Sequence, residues 1–171
     1  MLLSGCWNRN NGSNENPLGD GGVPDLGDRI CNAVQAGNTF IQPADSGNAT
    51  APAPTGGALT DGSYHLTSSA YYPAASCAFD PISANMVVTS SSPTSGTMQT
   101  ASLTSVGYFV SESTAYEIND TSLTTRIDCI APDAFGLLGN AAQISYSATP
   151  TEIQIYGSGG CGNRIDIYDL D

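Results

Sequence analysis

The sequence predicts an all-β protein: an eight-stranded antiparallel up-and-down barrel preceded by a disordered N-terminal tether. Three observations carry this. Of 171 residues only 12% are charged and 8% aromatic, lysine is absent, and Thr, Ser, Gly, Ala and Asn dominate. That composition favours strands and turns over helices, which are built from Leu, Glu, Lys and Arg. From residue 58 onward the apolar residues recur with a period of two, and short Gly, Pro, Asn and Asp clusters punctuate them.

The strands follow in order. SYHLTSSAYY places Tyr64, Leu66, Ala70 and Tyr72 on one face and His65 on the other. ANMVVTSS and GTMQTASL are separated by SSPTSG, whose Pro93 and Gly96 suit a hairpin loop. VGYFVSESTAYEI makes a long strand with Tyr108, Val110, Tyr116 and Ile118 in phase. NDTS, residues 119–122, reads as a tight turn into LTTRIDCI, where Leu123, Thr125, Ile127 and Cys129 share a face. AQISYSATPTEIQIY repeats the design, with Ile144, Tyr146 and Ala148 before the turn and Ile153 and Ile155 after it. NRIDIYDL is the last strand. Closing such a meander into a barrel removes the exposed edges that promote aggregation. SSPTSG, NDTS and TPT then fall at one end. The connection holding Cys77, the link from Leu103 to Val106, IAPDAFGLLGN and GSGGCGN fall at the other.

Ahead of the barrel the chain divides into three parts. Residues 1–5 read as the remnant of a signal peptide, because Leu3, Ser4, Gly5 and Cys6 spell a lipobox and Cys6 would carry the lipid. Residues 6–30 are rich in Asn, Gly, Asp and Pro and cannot bury enough surface to order, which makes them an acidic tether. The spacing of Asp20, Asp25 and Asp28 lacks the alternation of a helical calcium loop. Residues 31–57 form a partly ordered segment ending in the linker APAPTGG, and residues 58–171 are the barrel domain. No apolar run is long enough to cross a bilayer as a helix, so membrane association is expected through the anchor alone. With 4 Lys and Arg against 16 Asp and Glu, a net charge of -12 argues against nucleic acid as a partner.

Five cysteines leave an odd one, which lipidation of Cys6 explains. Cys31, Cys77, Cys129 and Cys161 remain, and an even set suits two disulfides in an oxidising compartment. Zinc is the competing reading, but no pair is spaced C-x-x-C. Four cysteines allow three connectivities. The strand assignment brings Cys77 and Cys161 to one rim, where first and last strands adjoin, and leaves Cys31 to reach Cys129.

CNAV, APAPTGGALTDGSYHLTSSAYY, SLTTRIDCIAP and SYSATPTEIQIY together resemble a group of uncharacterised myxobacterial-type lipoproteins with a lipobox and a lipocalin-like β domain. The resemblance runs from Cys31 to residue 171, and D-G-S-Y-x-L-T-S is its most specific part. It implies that Cys31 and Cys129 match two recurring cysteines and pair with each other. Cys77 and Cys161 are additions to the pattern. The group brings no activity to transfer.

Chemistry-bearing motifs are sparse. His65 is the single histidine and is expected to face outward. No serine stands in a G-x-S-x-G context, and GSGGCGN lacks the lysine of a phosphate loop. Glu112 and Glu117 have opposite parity on one strand, so they do not form a facing carboxylate pair. The expectation is a non-enzymatic protein with no metal and no cofactor. An eight-stranded barrel either fills its interior or holds one small ligand. Tyr64, Leu66, Tyr72, Tyr108, Tyr116 and Tyr146 are the candidate lining for a small apolar ligand, with core packing as the other use of the same residues. A second function class is a structural or protein-interaction module of the cell envelope, using the loop that carries Phe135, Leu137 and Leu138. Either way the expected location is a bacterial outer membrane or cell surface, lipid-anchored and extracytoplasmic.

Overall fold

A computed structural model describes residues 31–47, 49–72, 80–131, 139, 141–159 and 162–171. The expected lipidation site Cys6, the tether, Cys77, Cys161 and the loop residues Phe135, Leu137 and Leu138 lie outside the described residues. The strands are β1 (Ala44–Asp45), β2 (Gly62–Tyr72), β3 (Ile82–Ser92), β4 (Ser95–Thr104), β5 (Phe109–Asn119), β6 (Ser122–Ala131), β7 (Ala141–Ala148), β8 (Glu152–Gly159) and β9 (Gly162–Leu170). From β2 to β9 each strand pairs antiparallel with the next, and β2 pairs with β9 to close an eight-stranded barrel. The expected architecture is therefore the one observed.

The end carrying the hairpins after β3, β5 and β7 is the lower end. Asn119 pairs with Ser122 across a two-residue turn in which Asp120 adopts φ 56°. An aspartate tolerates that left-handed geometry at small cost.

The short strand β1 was not expected. β2 and β3 pair only where Gly62–His65 meets Asn85–Val88, and above that point they diverge. β1 runs parallel to β2 at Ala70 and Tyr71, and Ile41 bridges Ile82 of β3. The N-terminal segment thus supplies backbone partners to the two edges left by the divergence.

Residues 51–57, expected as a linker, lead into the barrel floor. Gly56 donates to the Tyr146 carbonyl at 3.0 Å and accepts from Ala148 at 2.8 Å, extending the sheet at the lower end. Gly57 has φ 126°, and a Cβ there would lie 2.4 Å from the Ala148 carbonyl oxygen, so the close approach requires glycine. Leu59 then joins a buried cluster with Tyr64, Met86, Val88, Met98, Tyr116, Leu123, Tyr146 and Ile153. Each large side chain buried here contributes roughly 1.5–3 kcal/mol. The floor is a packed core.

Two bulges reset the alternation. In β2 the pairing with β9 shifts between Leu66 and Ser68, so Ser69 and Tyr71 take the inner face while Ala70 and Tyr72 turn outward. In β6 the extra residue is Asp128, between Ile127 opposite Thr114 and Cys129 opposite Ser113. Cys129 therefore leaves the face shared by Leu123, Thr125 and Ile127. An inserted residue has this effect because side chains alternate at every step.

Candidate binding chamber

Burial of the inner face falls from the lower end upward along successive strands. On β5 Tyr116 and Thr114 are buried and Glu112 is half-buried; on β6 Leu123 and Thr125 give way to half-buried Ile127. On β4 Met98 is followed by half-buried Thr100, and on β8 Ile153 by half-buried Ile155. Inward-facing residues keep accessible surface at this level, above a solid floor, and they are the candidate lining of a cup.

The polar side of the cup comes from β2 and β9. Tyr168 pairs with Leu66, Asp166 with Ser69 and Arg164 with Tyr71, and all six face inward. Arg164 Nε donates to Asp166 Oδ1 at 2.7 Å, and the two side chains keep only 27% and 16% of their surface. The guanidinium carbon stands 6.0 Å from the centroid of the Tyr71 ring. Burial works to lower the Arg164 pKa, but the negative charge of Asp166 and the hydrogen bond to it, together with the contact to Tyr71, outweigh that, and the net shift is upward. Burial pushes the Tyr168 phenol well above its ordinary range; Asp166 adds to the rise and Arg164 opposes it. Ser69 is 1% exposed, and its hydroxyl has no hydrogen-bond partner among the described residues.

β5 lies four strands from β9 in either direction round the barrel, which places it opposite. Glu112 pairs with Thr100 and Ile130, in phase with Met98 and Thr114, and so faces inward. Thr114 Oγ1 donates to its Oε1 at 2.5 Å. Ile127, Ile144 and Ile155, on β6 to β8, supply an apolar wall.

The expected lining is redistributed. Tyr64, Leu66, Tyr116 and Tyr146 face inward, but the three tyrosines belong to the floor and their hydroxyls are committed. Tyr64 donates to the Thr60 carbonyl at 2.7 Å and Tyr146 to the Gly57 carbonyl at 2.5 Å; Tyr116 and Ser90 hydroxyls lie 3.2 Å apart. Two placements are corrected. Tyr72 is turned outward by the β2 bulge, and Tyr108 sits in the turn before β5 with 74% of its surface exposed. Missing from the expectation were Ser69, Tyr71, Glu112, Arg164, Asp166 and Tyr168. In NRIDIYDL the isoleucines draw the eye, yet Ile165 and Ile167 pair with Ala70 and Ser68 on the outer face. The alternation of Arg164, Asp166 and Tyr168 was the available signal.

Outside the barrel, Cys31 and Cys129 form a disulfide with Cα atoms 5.6 Å apart. It fastens a strap across β3 to β6. The Cys31 amide donates to Ser111 Oγ at 3.1 Å, Asn32 Nδ2 to the Glu112 carbonyl at 2.7 Å, and Asn85 Nδ2 to the Gln35 carbonyl at 2.9 Å. Where the strap crosses the divergence of β2 and β3, a slot of about 300 Å³ opens between Asn38, His65, Leu66 and Ala84. His65 is on the outer face, as expected, with Nδ1 2.6 Å from Asp171 Oδ1. An open groove of about 680 Å³ along the outer wall is lined by Thr89, Thr97, Ala115 and Thr124.

No family model and no curated protein matches the chain. Among solved structures, a de novo designed fluorescence-activating β-barrel is similar to 66% of this chain and 94% of its own length, with 10% sequence identity and a TM-score of 0.44.

Proposed function

We propose that this protein is a non-enzymatic extracytoplasmic lipoprotein, anchored through Cys6, whose barrel binds one small ligand in the upper cup. The observation that carries binding is the change along the inner wall. Below, Tyr116, Leu123, Tyr146 and Ile153 are sealed; above, Ile155, Glu112, Tyr71 and Arg164 keep accessible surface while facing inward. A chain that needed only a stable barrel gains nothing from half-burying a guanidinium and carboxylates there. The ligand has an apolar body, for the isoleucine wall, and a polar end, for β2, β5 and β9. Support for an oxidising compartment comes from the Cys31–Cys129 disulfide. Support for the anchor comes from Leu3, Ser4, Gly5 and Cys6.

Native mass spectrometry of the full chain after gentle extraction tests the binding reading. A stoichiometric small-molecule adduct that is lost when Ile155→Trp fills the cup is the expected result. A bare protein whose mass and thermal stability no metabolite extract alters would overturn it. For the anchor, Cys6→Ser is expected to move the protein from the membrane fraction to the soluble one, and retention in the membrane would refute lipidation there.

A further inference from the structure

The charges inside the cup do not balance. Three charged side chains face inward from the described strands: Arg164 and Asp166 on β9, and Glu112 on β5. Arg164 and Asp166 neutralise each other at 2.7 Å. Glu112 receives a hydrogen bond from Thr114, which is uncharged, and makes no ion pair with a basic residue among the described residues. The other described arginine, Arg126, is committed to Asp128 and pairs with Ala115 and Ala141 on the outer wall.

From this juxtaposition we propose that the ligand of the cup is a small organic cation, an amine or quaternary ammonium on an apolar body, with Glu112 as its counter-ion. The inference rests on the binding reading above and names the ligand's class. A half-buried carboxylate without a basic partner is costly unless a cation completes it, and a cation entering from solvent does so. Thr114 holds the carboxylate in place from the floor side. The buried Ser69 hydroxyl, unpartnered among the described residues and on the inner face between Leu66 and Tyr71, provides an acceptor for an N–H group. At long range the net charge of -12 concentrates cations around the protein and repels anions from the mouth of the cup.

Three fluorescent probes of similar size test this on the full chain carrying Cys6→Ser, so that no detergent competes. They are a methylpyridinium styryl dye (cationic), N-phenyl-naphthylamine (neutral) and anilinonaphthalene sulfonate (anionic). The cationic dye is expected to bind at least about tenfold more tightly than the neutral one, to weaken with added salt, and to lose about tenfold in affinity in Glu112→Gln. Glu117→Gln, on the outer face of the same strand, is expected to change nothing. Equal or better binding of the neutral or anionic probe overturns the cation class and leaves the cup a binding site. An unchanged cationic affinity in a folded Glu112→Gln also overturns it. Should no probe bind, the binding reading falls and this inference with it. If Glu112→Gln does not fold, the salt response of the unaltered protein decides, because affinity for the cationic dye that is flat with salt removes the counter-ion.

Discussion

Arg164 Nε and Asp166 Oδ1 meet at 2.7 Å on the inner face of β9, two positions apart on one strand. A second pair has the same sequence spacing: Arg126 and Asp128, at 3.1 Å on β6, with side chains 63% and 43% exposed. The comparison isolates the effect of burial. Asp166→Asn leaves a mostly buried guanidinium without its counter-charge and is expected to lower stability by about 1–3 kcal/mol. Asp128→Asn, in solvent, is expected to cost under about 1 kcal/mol. Urea denaturation of the two variants side by side measures the difference, and equal losses would place Arg164 in solvent.

Tyr168 makes stability depend on pH at the alkaline end. Its folded-state pKa is raised, chiefly by burial, above the ordinary 10.0. Above that value the unfolded chain gives up the proton and the folded chain keeps it, so the unfolded state binds fewer protons and stability falls as pH rises. Below pH 10 the group contributes no slope. Between about pH 10 and 12 Tyr168 alone is expected to remove up to about 1.4 kcal/mol per pH unit. Tyr168→Phe should remove that share of the slope, leaving a smaller one from Tyr64 and Tyr146, whose pKa values burial also raises. Chemical denaturation at stepped pH resolves the two profiles.

The legible part of the fold was that which strict alternation records. Ile144, Tyr146, Ile153 and Ile155 face inward on both sides of the third lower turn because nothing interrupts their period of two. The cup was illegible where a bulge intervenes. One extra residue after Leu66 moves Tyr71 inward and Tyr72 outward, and an adjacent pair of tyrosines gives no hint of which is needed. On β9 the polar residues took the inner face against the hydrophobic pattern. Arg164 and Asp166 satisfy each other there, and Ile165 is still 3% exposed on the outer side, next to Tyr156 and Ala70. Hydrophobic pattern identifies an inner face only when the interior is apolar throughout.

The floor depends on the junction between APAPTGG, which reads as linker, and the first residues of the barrel domain. Leu59 is 9% exposed and packs into the cluster of Tyr64, Tyr116 and Tyr146. Leu59→Ala is expected to cost about 2–4 kcal/mol through lost burial and the cavity left behind. Gly57→Ala adds strain at φ 126° and a contact of 2.4 Å with the Ala148 carbonyl, and should destabilise as well. A linker ending at residue 57 would tolerate Gly57→Ala. Thermal melts of both variants, with Pro54→Ala as the neighbouring control, make the distinction.

The Cys31–Cys129 bond encloses a sequence separation of 98 residues and ties the strap to the outer wall. Restricting so long a loop in the unfolded chain stabilises the native state by about 2–4 kcal/mol. The cross-link also acts locally, since Cys31 and Asn32 hydrogen-bond to Ser111 and to the Thr100 and Glu112 carbonyls beneath them. Those local bonds are intermediate in burial and too few to hold an uncrosslinked segment against its conformational entropy. Cys129→Ser is therefore expected to lower global stability by about 2–4 kcal/mol and, in the still-folded population, to release residues 31–37 first. Hydrogen exchange reads both effects at once: amides of Cys31 and Val34 should lose protection before those of β4 and β5. Simultaneous loss across strap and barrel would mean that the bond holds the barrel itself together. The Glu112 carboxyl lies on the far side of the wall from the strap, so probe affinity in the folded Cys129→Ser protein should change by less than about threefold, a small fraction of a Coulombic contact.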